Sequence, residues 1–376
     1  MPPTTQTKPA AAFRKTAETF PSGVKSLPQK YFVSPEIFAK ERDEIFSKEW
    51  LLVGHQSQLK KSGDFFLATI AGESLMVVRD QKSEVRGFYN VCRHRGTRLK
   101  EDVCGHASAI QCPYHAWTYR LDGRLIGAPH MDDVPGFDKA DYSLHRVNLG
   151  LWEGFIFVNL EKNPEPLEEW FSPLKGKFSH WNMSILQPAK RIDYDVRANW
   201  KLMFENYSEC YHCPGVHPQL QKVSPYDSAK NDLREGSFLG GFMKINPGKS
   251  LTVSGNACAA FVGKIENLQQ VFYYSIFPNM LLSLHPEYVM VHQLWPMSPE
   301  RTLIVCDWYF HPDAFNRPDF KPDDAIEFWD MTNKQDWHVC ELSQQGIASR
   351  AYEPGPYSSR ESIPAAWDRY YLSMMH

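Results

Sequence analysis

The sequence predicts an α+β protein in which a small all-β module precedes a larger domain of helices and strands. Between about residues 50 and 160, short β-prone runs alternate with Gly- and Asp-containing turns. Residues 271–310 contain four more β-prone runs, which predict an antiparallel meander. A helical pattern then extends from Asp324 to Ile347. The 376 residues leave room for two domains of ordinary size.

The remaining elements follow in chain order. A helix is predicted from Pro35 to Trp50, because apolar residues recur there at helical spacing. Asp122-Gly123, between two β-prone runs, predicts a hairpin turn. The charged, Pro-containing stretch 161–169 marks the end of the β module. A further helix is predicted from Asn199 to Tyr211, and Cys213-Pro214-Gly215 ends it.

Charge and composition exclude several classes of protein. The net charge of −3 indicates no general attraction to nucleic acid or to an anionic membrane. The segment from Met1 to Phe20 lacks the basic and apolar parts of a secretory signal. No apolar stretch is long enough to cross a bilayer. Eight cysteines in a chain of this length do not form a disulfide framework, so we expect a reduced, cytoplasmic location.

Two loops of the β module each offer one thiol and one imidazole. The first supplies Cys92 and His94, the second supplies Cys112 and His115, and seventeen residues separate His94 from Cys112. Zinc could use two Cys and two His, but zinc fingers usually place both Cys on one loop and both His on a helix. Mixed loops suit a two-iron cluster in which one iron takes both thiolates and the other takes both imidazoles. We therefore predict a [2Fe–2S] cluster held by these four residues.

A second candidate centre contains His212 and His217. On an unbroken helix their side chains would diverge by about 140°, but Pro214-Gly215 interrupts the helix and could turn the second imidazole back. Two His and one carboxylate form the facial triad of non-haem Fe(II) oxygenases. In the last helix, Asp336 falls on the mostly apolar face, where an unpaired carboxylate is costly. Asp336 is therefore the preferred third ligand, and the alternative is a buried Asp that caps backbone or pairs with an Arg.

The cysteines beside this second centre, Cys210 and Cys213, are expected to have ordinary structural use.

The segments VCRHRGTRL, CPYHAWTY and ENYSECYHCPGVHP resemble those of Rieske non-haem iron oxygenase α subunits, and the resemblance covers nearly the whole chain. It implies a Rieske domain at 49–162, a helix-grip catalytic domain at 163–376, and an N-terminal segment, 1–48, packed on the catalytic domain. The family commonly forms homotrimers in which the cluster of one subunit faces the mononuclear iron of its neighbour. A carboxylate three residues before the first His ligand bridges the two centres, and here it is Glu209.

Glutamate at this bridging position is similar to the branch that acts on quaternary ammonium compounds, whereas most ring dioxygenases have Asp. The resemblance implies O2-dependent N-demethylation, with glycine betaine as the expected substrate and dimethylglycine and formaldehyde as products. The chain has neither a Gly-rich dinucleotide loop nor a plant-type ferredoxin Cys spacing, so electrons from NAD(P)H would arrive through a separate flavin and iron–sulfur reductase. The alternative is the α subunit of an aromatic-ring hydroxylating dioxygenase. An electron carrier would need only the Rieske domain.

A quaternary ammonium group has no N–H to donate, so cation–π contacts are its natural means of recognition. The chain contains 11 Trp, 17 Tyr and 23 Phe. The β-prone runs of the larger domain offer these candidates for an aromatic cage: Phe272, Tyr273, Tyr274, Tyr288, Trp295, Trp308 and Tyr309.

Overall fold

The computed structural model describes residues 24–260 and 269–375, and they form two compact units. The β module comprises 42–175, and the sheet domain comprises 24–41 together with 176–260 and 269–375. The predicted boundaries after residues 48 and 162 stay a prediction. Residues 1–23 of the predicted N-terminal segment, which include Met1 to Phe20, lie outside the described residues.

Short strands build the β module. They pair antiparallel, and Asp122-Gly123 forms the turn between the seventh and eighth strands, as predicted. Gly123 has φ +91°, a conformation that favours glycine. The strands are β1 (Leu51–His55), β2 (Asp64–Ile70), β3 (Glu73–Arg79), β4 (Val85–Tyr89), β5 (Cys104–His106), β6 (Ile110–Gln111), β7 (Thr118–Tyr119), β8 (Leu125–Gly127), β9 (Asn148–Trp152) and β10 (Phe155–Asn159). Their sheet orders are β1-β10-β9, β4-β3-β2-β5 and β6-β7-β8.

One long antiparallel sheet organises the sheet domain. Its strands are β11 (Gln187–Val196), β12 (Lys230–Glu235), β13 (Phe238–Lys244), β14 (Gln270–Ile276), β15 (Met280–Leu284), β16 (Val289–Ser298) and β17 (Arg301–Phe310). They lie in the order β11-β17-β16-β15-β14-β13-β12. The predicted meander is confirmed as β14 to β17, whereas β11, β12 and β13 were not predicted.

The helices of the described residues differ in length from the predictions at several ends. They are α1 (Lys30–Val33), α2 (Pro35–Glu41), α3 (Leu167–Trp170), α4 (Trp200–Tyr207), α5 (Cys213–Val216), α6 (Pro218–Val223), α7 (Pro322–Ile347) and α8 (Ser362–Met374). The helix predicted to reach Trp50 stops at Glu41, and a π-helical turn, Arg42–Phe46, follows it. The helix predicted to reach Tyr211 stops at Tyr207. None of these helices is long and apolar enough to span a membrane.

Hydrogen bonds join α4, and the residue that caps it, to α7. The Asn199 side chain caps α4, and the Asn199 backbone N–H donates to Gln344 Oε1 on α7 at 3.0 Å. Cys340 Sγ donates to the Leu202 carbonyl at 3.6 Å. The long helix and the seven-stranded sheet together confirm the predicted α+β, helix-grip architecture. This packing holds the chain that leaves α4 beside Asp336 of α7.

Candidate metal centres

The two Cys–His loops of the β module have the same backbone hydrogen bonds. The N–H of Cys92 donates to the carbonyl of Thr97, and the carbonyl of Cys92 accepts from Gly96. The N–H of Cys112 donates to the carbonyl of Trp117, and the carbonyl of Cys112 accepts from the N–H of Ala116. Gly96 and Ala116 both adopt positive φ, at +74° and +57°. The chain therefore forms two copies of one tight loop, each with a cysteine at its base.

The loops present thiols inward and imidazoles outward. Cys92 and Cys112 are buried, and burial, with a contribution from the neighbouring Cys112, raises the pKa of the Cys92 thiol. The Tyr119 hydroxyl lies 3.3 Å from Cys92 Sγ. The rings of His94 and His115 lie 4.8 Å apart between centroids. Two paired thiols beneath two paired imidazoles form a donor set that fits a two-iron cluster, with one iron bound by both cysteines and the other by both histidines.

The second centre brings His212, His217 and Asp336 together. His217 Nε2 lies 2.8 Å from Asp336 Oδ1, and His212 Nε2 lies 3.3 Å from the same oxygen. The two imidazole centroids are 5.1 Å apart. Two nitrogens and one carboxylate oxygen therefore converge on one point, as a facial triad requires.

Each imidazole is oriented by a hydrogen bond at its other nitrogen. His217 Nδ1 donates to Gln335 Oε1 at 2.8 Å, and His212 Nδ1 lies 2.5 Å from Glu209 Oε1. Glu209 also accepts from the backbone N–H groups of Tyr211 and His212. Because each Nδ1 carries the proton, each Nε2 is left to face Asp336, which is the usual arrangement around protein-bound metals. The sequence analysis did not predict the role of Gln335, although it is the neighbour of Asp336.

Hydrogen bonds among these side chains shift their pKa values in opposite directions. Burial would lower the pKa of His212, but hydrogen bonds to Asp336 and Glu209 raise it to about 10. Burial would raise the pKa of Asp336, but hydrogen bonds from His212 and His217 lower it to about 2. A buried site that favours a proton between these atoms also suits a cation in the proton's place.

The turn between the two histidines differs from the predicted one. Pro214-Gly215 does not break a helix but lies within the short helix α5. The break falls at His217 itself, with φ −122° and ψ 65°, and Pro218 begins α6. Because His217 joins two helices, its imidazole turns toward Asp336.

Cys210 and Cys213 form a disulfide on the same turn, with their Cα atoms 5.0 Å apart. The sequence analysis expected ordinary structural use for both cysteines and did not predict that they pair. Two residues, Tyr211 and His212, separate them, and the turn that carries His212 brings their Cα atoms into the range that a disulfide spans.

A cavity that opens to solvent lies beside His212, His217 and Asp336. Five aromatic residues line it: Tyr207, Phe242, Tyr273, Trp329 and Trp337. Of the seven aromatic residues predicted for a cage, only Tyr273 lines this cavity. Tyr274, the next residue on β14, points to the other face of the sheet and donates to Asp232.

His292 also lines the cavity, and it is neutral there. Burial lowers its pKa to about 4, against weaker opposing effects of Asn333 and Asp336. Its Nε2 lies 3.3 Å from Asn333 Oδ1 and donates to it.

Comparison with known families agrees with both centres. The model for the catalytic domain of ring-hydroxylating α subunits matches residues 183–376, and the model for the Rieske [2Fe–2S] domain matches residues 49–138. The chain is 31% identical to the oxygenase subunit of glycine betaine monooxygenase from Pseudomonas aeruginosa, over 89% of this chain and 85% of that protein.

Two further relatives match nearly the whole chain. The oxygenase subunit of carnitine monooxygenase from Acinetobacter baumannii is 30% identical and covers 91% of each chain. The solved structure of a quaternary ammonium Rieske monooxygenase, described for carnitine oxidation, is 26% identical, with a TM-score of 0.82 over 98% of this chain and 99% of that one.

Proposed function

The chain belongs to the Rieske non-haem iron oxygenases, in the family of ring-hydroxylating α subunits, and from that premise we propose that it removes a methyl group from a quaternary ammonium compound, glycine betaine. The family implies a Rieske [2Fe–2S] cluster, a mononuclear iron and a separate reductase that supplies electrons. The products of the proposed reaction are dimethylglycine and formaldehyde.

We assign the four side chains of the paired loops, Cys92, His94, Cys112 and His115, to the cluster. We assign His212, His217 and Asp336 to the iron, which when bound activates O2 for insertion into a C–H bond. The convergence of two Nε2 atoms on one carboxylate oxygen supports the second assignment.

The observation that carries the substrate class is the aromatic wall of the cavity that contains these three residues. Tyr207, Phe242 and Tyr273 are half-buried, so their rings form part of the cavity surface. Aromatic faces attract a methylated cation, by about 2 kcal/mol or more once it is desolvated. His292, which lines the same cavity and is neutral, does not oppose a cation.

The organic reaction balances without a nucleophilic side chain. Insertion of one oxygen atom of O2 into an N-methyl C–H bond gives a carbinolamine, while the other oxygen atom leaves as water after taking up two electrons from the reductase and two protons. Its hydroxyl then loses the proton, the O–H electron pair forms the C=O bond, and the C–N pair remains on nitrogen. Formaldehyde and a tertiary amine leave, so the protein needs only to hold the methyl group beside the iron ligands.

Formaldehyde release tests the proposal directly. The purified chain is supplied with NADH, a Rieske-oxygenase reductase and, separately, glycine betaine, carnitine, choline or stachydrine. We expect formaldehyde in equal amount to the glycine betaine consumed, and His212→Ala should abolish it while leaving the Rieske absorption intact. Demethylation of another of these compounds but not of glycine betaine would contradict the substrate assignment. Hydroxylation of an aromatic acid, without formaldehyde from any of the four, would overturn the whole proposal.

We also propose that Glu209 carries electrons between subunits of a homotrimer. Glu209 already accepts from His212 Nδ1, so its carboxylate is joined to the first iron ligand. In Glu209→Gln, the chemically reduced cluster should be reoxidised at least roughly tenfold more slowly by O2 and substrate, while cluster and iron contents stay normal. Exposed Glu235→Gln is the matched control. A normal reoxidation rate in Glu209→Gln, or a monomer in sedimentation, would contradict this part of the proposal.

A further inference from the structure

The Cys210–Cys213 disulfide encloses the proposed iron ligand His212 in a Cys-Tyr-His-Cys sequence. Cys210 and Cys213 are buried, and both line the cavity. The Cys213 N–H donates to the Cys210 carbonyl, so the turn is also closed through the backbone. The disulfide is therefore part of the wall beside the metal site.

Cys213 is the sulfur that faces the proposed ligands. Its Sγ lies 4.0 Å from His212 Nε2, the nitrogen that also faces Asp336. The ligand atoms of His212, Cys213 and His217 all lie within 4.8 Å of one another. A tetrahedral zinc ion bound by sulfur and nitrogen separates these two atoms by about 3.5 Å. The Cys213 Sγ–His212 Nε2 distance would have to shorten by about 0.5 Å, and no pair of these ligand atoms by more than about 1.5 Å, to complete a three-ligand site.

We infer that the disulfide decides which metal this site accepts, and that its reduction creates a zinc site with two imidazoles and one thiolate, from His212, His217 and Cys213. This inference rests on the proposed role of the two histidines as metal ligands. With the disulfide formed, the sulfur has no anionic form, and the available donors are two imidazoles and one carboxylate.

The chemical step is ordinary thiol–disulfide exchange. A dithiol supplies two electrons and two protons, the Cys210–Cys213 bond breaks, each sulfur becomes a thiol, and the reductant leaves as its own disulfide. A metal ion then displaces the proton from Cys213 Sγ. In a reduced cytoplasm, the compartment that the sequence predicts, disulfides are usually transient or redox-sensing, so reduction of this bond would change the metal preference of the site.

The two donor sets differ in the metals they prefer. Thiolate is a soft ligand that suits zinc and copper, whereas carboxylate suits harder ions, and two His with one carboxylate are typical of non-haem Fe(II). Zinc also binds most nitrogen and oxygen sites more tightly than Fe(II) does. A free thiolate beside the iron ligands would add to this bias, so the disulfide protects the site from zinc.

Cobalt(II) is the probe for the inference, because thiolate coordination gives it a near-ultraviolet charge-transfer absorption. The full chain with its Rieske cluster is depleted of mononuclear metal by a chelator. One portion stays oxidised, and the other is reduced with a phosphine and then desalted without air. Each portion is titrated with Co(II), recorded as a difference spectrum, and then with zinc.

We expect both portions to bind one Co(II), with the thiolate absorption present only after reduction. Reduction should tighten zinc binding roughly tenfold or more. Cys210→Ser leaves Cys213 unpaired, so it should give the thiolate absorption without a reductant. Cys213→Ser should never give it. Cys104→Ser, which removes an exposed thiol of the β module, should behave like the unmodified chain.

The outcomes separate this inference from the proposed function. Reduced chain or Cys210→Ser that binds Co(II) without thiolate absorption would overturn the inference and leave the iron site intact. An absorption that persists in Cys213→Ser would also overturn it. Failure of the oxidised chain to bind Co(II), or binding unchanged by His212→Ala, would overturn the metal site itself and the proposed function with it.

Discussion

His217 Nδ1 donates a hydrogen bond to Gln335 Oε1 at 2.8 Å, and this bond leaves His217 Nε2 to face Asp336. Gln335 and Asp336 are consecutive residues of α7. The same turn of one helix therefore supplies both a proposed ligand and the group that orients another ligand.

Loss of the Gln335 side-chain acceptor should weaken metal binding. In Gln335→Leu the His217 ring is free to carry its proton on Nε2, and we expect iron affinity to fall 10- to 100-fold, roughly the usual effect of removing such a partner. Iron content after dialysis against graded chelator measures the change. Exposed Gln219→Leu, two residues from His217, should retain the original affinity, and equal loss in both variants would contradict the argument.

A buried ion pair connects the N-terminal helices to α4. Lys201 Nζ lies 2.5 Å from Glu41 Oε1, and the two side chains are 0% and 1% exposed. Trp200 Nε1 and the Tyr371 hydroxyl also donate to Glu41. Burial lowers the pKa of Lys201, against the opposing attraction of Glu41.

Removing one partner of this pair should be far more harmful than removing both. Lys201→Met leaves Glu41 buried without its cation, and we expect the free energy of unfolding to fall by about 3–5 kcal/mol. Lys201→Met combined with Glu41→Gln should recover part of that loss. Urea unfolding of the single and double variants measures both free energies of unfolding. A double variant less stable than Lys201→Met would show that the unpaired Glu41 charge is not the cause of the loss.

Buried His292 should make the protein less stable in acid. Its folded-state pKa is lowered to about 4 from an ordinary value of 6.5. As the pH falls through this range, the unfolded chain binds a proton that the folded chain does not, so stability decreases from pH 6.5 downward. The full effect at pH 4 is about 3 kcal/mol.

Burial keeps His292 in its neutral form, and its hydrogen bond to Asn333 opposes that effect only weakly. The Tyr194 hydroxyl donates to Asp330 at 2.9 Å and accepts from Asn333 Nδ2, so Asn333 Oδ1 is left to accept from His292. His292→Gln should therefore flatten the dependence of unfolding free energy on pH between 6.5 and 4.5. Exposed His180→Gln should not, and an unchanged slope in His292→Gln would disprove the role of this residue.

The residues that the sequence analysis proposed as ligands lie close together in the structure, because ligand spacing is largely a local property. Cys92 and His94 share one loop, and the phase of α7 alone placed Asp336 on the inner side of its helix. Strands β12 and β13 were not predicted, and their charged residues and Gly240-Gly241 are of types that are depleted in strands. In the structure, a Cβ at Gly241 would lie 1.8 Å from the Lys230 carbonyl oxygen, so glycine permits close pairing of these strands.

The aromatic wall was predicted poorly for a different reason. Its members come from α4, β13, β14 and α7, which are distant in sequence and meet only in the folded domain. Richness in aromatic residues located the right sheet, but not the residues that face the cavity. Tyr273 and Tyr274 are consecutive residues of β14, so their side chains point to opposite faces of the sheet. That choice depends on which side α7 covers.

Tyr273 should bind the substrate through its ring and not through its hydroxyl. The Tyr273 Oη atom has no hydrogen-bond partner among the described residues, and the ring lies 5.9 Å from Tyr207 and 6.3 Å from Trp329. Tyr273→Phe keeps the aromatic face, so its KM for glycine betaine should stay close to the original. Tyr273→Leu loses about 1–2 kcal/mol of cation–π attraction, so KM should rise roughly 5- to 30-fold.

The comparison of Tyr273→Phe with Tyr273→Leu shows whether the ring or the hydroxyl of Tyr273 binds the substrate. Tyr274→Phe, on the other face of the sheet, loses its bond to Asp232 and should leave KM unchanged. Steady-state formaldehyde release at graded substrate concentrations gives KM and kcat separately. The larger change should be in KM, because the ring binds the cation equally well before and after oxidation of the methyl group. Equal KM values for Tyr273→Phe and Tyr273→Leu would mean that the ring does not contact the cation, and one of the other four aromatic residues would then have to supply that contact.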